Sequence, residues 1–246
     1  MRMKALVLFV VALAFAVSAW AAGTESVIYN FNNYSGDGYY PYSGLVADKA
    51  GNLYGTTDQG GANNLGSVFE LTLSGGVWTE TLLYSFAGGA TDGYYPAYSP
   101  LVFDKTGHLY GTTQYGGSSS CNCGIVFELT KSGSTWKETI VHAFLGYAQK
   151  DGYLPQAGLS FDTAGNLYGT TYQGGSFNVG SVFQLAPTKT GWKYKVIHNF
   201  NTQSGGAHSA ESRKAQTATT TARPTTAELP TTPARSTDCL KQGVPG

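Results

Sequence analysis

Cysteine is scarce in this 246-residue chain, with three residues, and charged side chains make up only 12% of it. So few cysteines exclude a disulfide scaffold. Cys121 and Cys123 are one residue apart in sequence. Neither a CxxC pair nor a nearby histidine pair supplies the remaining ligands of a structural zinc site, so a local loop disulfide or free thiols are the readings that remain. Between Ala22 and Phe200 eight lysines face twelve carboxylates. Without a basic stripe, nucleic-acid binding has no electrostatic support. The sequence also lacks GxSxG, HExxH, a phosphate loop and a dinucleotide fingerprint. No apolar run reaches the roughly twenty residues that span a bilayer.

What is present is glycine, tyrosine, threonine and phenylalanine, and they recur. Asp37 to Phe86, Asp92 to Phe144 and Asp151 to Phe200 are three copies of one unit. Each opens with Asp-Gly-Tyr and a proline (Pro41, Pro96, Pro155). GLVADKAGNLYGTT, PLVFDKTGHLYGTT or GLSFDTAGNLYGTT follows, then a Gly-Gly loop. GSVFELT, GIVFELT or GSVFQLA comes next, then a tryptophan (Trp78, Trp136, Trp192) and a last apolar stretch. A period of this length means a stacked or circular array.

Short β-branched and aromatic runs between turn signals predict four strands per copy, over 101–103, 108–113, 124–130 and 137–144 in the second. Asp48, Asp104 and Asp162 open Asp-x-x-Gly turns, where the side chain accepts backbone N–H bonds and the glycine supplies a positive φ. Four antiparallel strands per unit are one blade of a β-propeller, with the tryptophans and Phe86, Phe144 and Phe200 packing between blades. A β-helix is the rival, disfavoured by the repeated hairpin turns. The expected fold is all-β: an open, incomplete array of three blades. Val27 to Phe31 matches only the fourth strand of the unit, so it is a lone strand placed to complete a blade whose other strands come from elsewhere.

These motifs, from Val27 to Phe200, resemble the GloVer (Gloeo/Verruco) tandem repeat of exported bacterial proteins. The resemblance implies a propeller-like fold and, in many members, a terminal surface-sorting anchor; no anchor is recognisable here. It implies no specific activity.

The chain ends differ from its middle. Met1 to Ala21 has a basic start, an apolar run and Ala19-Trp20-Ala21, the pattern of a secretory signal peptide, so the expected location is secreted, periplasmic or cell-surface, without membrane insertion after cleavage. Residues 201–246 turn to Thr, Ala, Pro and Ser. One reading is a disordered linker. The other is a frameshifted fourth repeat. Read from the third base of each preceding codon, Ala218 to Pro224 permits Gly-Asn-x-Tyr-Gly-Thr-Thr, Ala227-Glu228 permits Gly-Gly, and Ala234 to Cys239 permits Gly-Thr-Val-Tyr-Arg-Leu. Three blades and a lone strand leave two open faces, so the array is expected to be sticky or marginally stable.

Candidate chemistry is thin. His142 and His198 share a repeat position that Tyr84 fills in the first copy, so imidazole is not required there, and with His108 and His208 they read as packing or surface groups. No catalytic residue is expected. Asp37, Asp92 and Asp151 are weak calcium candidates, though the spacing is not that of an EF-hand loop. The best binding candidates are the loop tyrosines Tyr39, Tyr40, Tyr94, Tyr95 and Tyr153, whose rings could stack on sugars or contact a protein, or fill gaps between blades. Two function classes stand: a noncatalytic exported scaffold binding protein or glycan, and a propeller enzyme, a lyase or hydrolase with a metal in the central channel. Near-uniform copies favour the scaffold.

Overall fold

The computed structural model describes residues 25–32, 36–96 and 98–201. The segment expected to be a signal peptide, His208, Cys239 and the tail with its frame reading lie outside the described residues. Each copy forms a four-stranded antiparallel sheet. In the first blade the order is β2 (Val46–Ala47), β3 (Leu53–Thr57), β5 (Ser67–Ser74), β6 (Val77–Ser85). The second blade runs β8 (Val102–Phe103), β9 (Leu109–Thr113), β11 (Ile125–Ser132), β12 (Thr135–Ala143). The third runs β14 (Ser160–Phe161), β15 (Leu167–Thr171), β17 (Ser181–Thr188), β18 (Gly191–Asn199). The architecture is all-β, of open propeller-type blades.

The Asp-x-x-Gly turns form as the sequence predicts. Asp48 Oδ1 accepts from Ala50 and Asn52 N–H at 2.8 and 3.0 Å, and Gly51 has φ +89°. A feature the sequence did not announce is a second, two-stranded sheet in each copy. It pairs β1 (Gly38–Tyr39) with β4 (Gln59–Gly60), β7 (Gly93–Tyr94) with β10 (Tyr115–Gly116), and β13 (Gly152–Tyr153) with β16 (Gln173–Gly174). It ties Asp-Gly-Tyr to the Gly-Gly loop. Gly60, Gly116 and Gly174 have φ between +82° and +99°, and a Cβ there would strike the backbone of the facing Asp-Gly, so no side chain fits.

The core lies at the seams between blades. Tyr54, Val68 and Phe86 of the first blade bury against Leu101, Leu109 and Phe127 of the second, and Trp136 packs on this cluster. The next seam repeats it with Tyr110, Val126, Phe144, Leu159 and Phe183, with Trp192 against Tyr110. Trp136 and Trp192, with Phe86 and Phe144, are therefore inter-blade packing, whereas Trp78 and Phe200 belong to neither seam cluster. Polar bonds cross the same seams: Thr56 Oγ1 donates to the Pro96 carbonyl at 2.8 Å and Thr112 Oγ1 to Pro155 at 3.4 Å.

Val27 to Phe31 departs from expectation, because it forms no strand. Among the described residues there is no third strand beside it to hydrogen-bond. Its side chains nevertheless occupy fourth-strand positions. Phe31 meets Phe69 at 4.9 Å, as Phe86 meets Phe127 and Phe144 meets Phe183, both at 5.2 Å. Asn32 N–H donates to Asp37 Oδ2 at 2.9 Å, as Ala87 does to Asp92 at 2.7 Å.

Candidate functional site

The predicted tyrosines divide into two groups. Tyr39, Tyr94 and Tyr153 sit in the short two-stranded sheets and are half-buried. The Tyr39 hydroxyl donates to Asn64 Oδ1 at 2.5 Å, and Tyr94 Oη pairs with the Asn122 amide. The Tyr39 and Tyr94 rings fasten loops, with Tyr94 stacked on Tyr115 at 5.2 Å, and Tyr153 packs against the core of the second seam. Tyr40 and Tyr95 follow them at φ +61° and +55°, a costly conformation for a bulky residue that Leu154 repeats in the third copy. It is held because the residue's peptide bridges neighbours: Tyr95 N–H donates to the Leu65 carbonyl across the seam, and its own carbonyl accepts from Gln114.

Tyr95 is half-buried, but the same backbone turn throws Tyr40 outward. Tyr40 stacks on Tyr42 at 5.6 Å and Tyr42 on Tyr98 at 5.5 Å, with interplanar angles of 2° and 5°. Their exposures are 49%, 52% and 55%. Tyr42 and Tyr98 were not among the predicted binding residues. Both precede a serine, Ser43 or Ser99, three residues ahead of the first strand of their blades, a shared position that the sequence did display. The row joins two blades and leaves about half of each ring exposed to solvent.

Of the Asp-Gly-Tyr aspartates, Asp92 and Asp151 are buried anchors and Asp37 is half-buried. Asp92 accepts from Ala87 N–H and Gly93 N–H, both at 2.7 Å, and from the Tyr84 hydroxyl at 3.0 Å. Asp151 accepts from Leu145 N–H at 3.0 Å and Gly152 N–H at 2.6 Å, with His142 Nε2 at 3.1 Å. Asp37 accepts from Asn32 and Gly38 N–H. Donors, the surroundings of an anion, thus meet the three calcium candidates. The fourth-strand position of Tyr84 and His142 has a role the sequence did not reveal: it clamps the aspartate that opens the next blade. A β-bulge at Val68/Phe69, repeated at Val126/Phe127 and Val182/Phe183, sets the register at this position.

Beside these anchors, burial and then the charge of Asp37 push the Glu80 carboxyl up to about 7. Burial and then Asp92 push Glu138 up to about 7. One oxygen of each is buried without a hydrogen-bond partner. In the third copy Tyr194 replaces the glutamate and stacks on His142 at 3.7 Å. There burial still pushes Asp151 upward, but its donors, His142 first among them, outweigh it and hold the carboxyl below the usual value.

One further cluster belongs to the second blade alone. His108 Nδ1 lies 3.2 Å from Asp104 Oδ2 and 3.0 Å from Glu128 Oε1. His108 stands where Asn52 and Asn166 donate their amides to Asp48 and Asp162, so it serves the same turn. The three side chains could also offer ligand atoms to a metal ion. Next to it, Asp104 and Thr106 border a cleft of about 390 Å³ at the second seam, walled by Tyr110, Phe161 and Trp192. Cys121 and Cys123 are disulfide-bonded in the loop ahead of β11.

Comparison with known proteins adds family information. A family model described as a Gloeobacter/Verrucomicrobia repeat matches residues 13–224. No curated protein matches the chain. Among solved structures, a protein of unknown function from Dyadobacter fermentans is similar, with 13% identity and a TM-score of 0.39. The match covers 62% of this chain and 49% of the other, so the chain spans about half the length of that structure.

Proposed function

The chain belongs to the Gloeobacter/Verrucomicrobia repeat family, and from that premise we propose that it is an exported, noncatalytic repeat scaffold that binds protein or glycan through its loop tyrosines. The exposed row Tyr40, Tyr42 and Tyr98 carries this reading, since three parallel, stacked rings, each about half exposed, form an aromatic patch that spans two blades and can contact a partner. The tyrosine hydroxyls at its edges add hydrogen-bonding capacity, which suits a sugar ring with one apolar and several polar faces. Signal-peptide character at the N-terminus supports export.

Screening the protein on a glycan array and against surface proteins of the source cells tests this. Bound ligand that is lost at least tenfold in Tyr42→Ala and Tyr98→Ala, with the melting temperature unchanged, is the expected outcome. Binding that survives both substitutions would move the site elsewhere. The enzyme reading rests on the Asp104, His108 and Glu128 cluster beside the aromatic cleft. Stoichiometric divalent metal in the purified protein, lost in His108→Asn, would favour it. That substitution installs the residue the other two copies carry and so leaves the turn intact.

A further inference from the structure

The two ends of the array are unequal to its middle in a specific way. Leu101 and Leu159 are 4% and 8% exposed because each is pressed into the preceding blade, whereas Leu45, at the same position of the first blade, is 49% exposed. At the other end, Tyr168 and Val182 hold the positions of buried Tyr54 and Val68, yet both are only half-buried, as is Phe200. Thr170 holds the position from which Thr56 and Thr112 donate to Pro96 and Pro155. His198 holds that of His142, which meets Asp151. The first blade therefore carries the accepting half of the seam, and the third blade the donating half.

We propose that these ends are two halves of one interface and that a second copy of this chain occupies them, head to tail. Leu45 of one copy enters the place between Tyr168 and Val182 of the other. Thr170 donates to the Pro41 carbonyl, and His198 meets Asp37. The internal seams are the template, so the contact needs no chemistry that the chain does not already use. The remainder of the chain is a poor occupant: residues 201–246 contain no aromatic residue and no Asp-Gly-Tyr-x-Pro segment. Heterologous contacts end in rings or filaments. Two copies of the three described blades make six, within the four to eight blades at which propellers close, so the expected product is a closed dimer. Phe31 holds the place on Phe69 that Phe200 of the second copy would claim, and as an unpaired segment it is readily displaced.

Sedimentation velocity and light scattering over a concentration series test the proposal on the whole chain. The expected result is a monomer of 26.0 kDa passing to a dimer of twice that mass. Leu45→Asp and Val182→Asp each raise the dissociation constant at least tenfold, and an equimolar mixture of the two recovers dimer, because one intact seam forms between them. Both positions are partly exposed at the array's ends, and circular dichroism checks that each variant folds. Thr170→Arg serves in place of Val182→Asp where that variant misfolds. A monomer at every concentration, self-association untouched by both substitutions, or a mixture that stays monomeric would overturn the proposal.

Discussion

At the scale of single residues, the repeat separates side chains that every blade needs from those that only one carries. Gly55, Gly111 and Gly169 lie under Phe69, Phe127 and Phe183, where a Cβ would press into the ring, so Gly111→Ala forces the seam apart. We expect a loss of about 1–3 kcal/mol, read by denaturant unfolding. Glu80 and Glu138 set a pH dependence. Their folded value of about 7 lies above the ordinary 4.5, so their contribution is fully present below about 4.5 and is lost as pH rises through about 7. Asp48, Asp104 and Asp162 act in the opposite window. Partial burial pushes them up, but turn hydrogen bonds, led in turn by those from Asn52, His108 and Asn166, hold them below 3.8; their contribution is lost as pH falls through that lowered value. The melting temperature should therefore decline between pH 5 and pH 8, and the decline should flatten in Glu80→Gln/Glu138→Gln. An unchanged decline would place its cause elsewhere. The aspartates of the turns were legible in the sequence because a turn is local. The clamps on Asp92 and Asp151 were not, since Tyr84 and His142 reach them only once two blades are packed.

At the scale of elements, the fourth-strand end is the piece that joins blade to blade. Phe86 and Phe144 are fully buried, while Phe31 makes the same ring contact from a segment with no ladder. Truncating Phe86 or Phe144 to Ala should cost about 3–5 kcal/mol, and truncating Phe31 distinctly less. Equal losses would mean that the N-terminal segment is held as firmly as a strand. The four strands of each blade were readable from short β-branched and aromatic runs between turn signals. The two-residue sheets were not, because Gly-Tyr and Gln-Gly carry no such pattern and pair only after the Gly-Gly loop has folded back. The exposed tyrosine row was half visible: Tyr40 could be named from its loop, but which tyrosines face solvent depends on the left-handed turn and on the blade that follows.

At the scale of the whole molecule, stability resides in seams rather than in blades, since each core cluster draws on two neighbouring blades. The repeat made this arrangement legible, and with it the open ends, while the degree of exposure at Leu45 and Val182 required coordinates. In such an array stability is close to a sum of nearest-neighbour terms, and a blade covered on both faces outlasts one covered on a single face. Hydrogen exchange read by mass spectrometry, on a dilute and a concentrated sample, tests this most directly. In the dilute sample β9 and β11 of the middle blade should exchange most slowly, ahead of β3 and β5 and of β15 and β17; at high concentration the outer blades should gain protection around Leu45 and Val182. Equal protection of all three blades under dilution, unchanged by concentration, would contradict an open array with complementary ends.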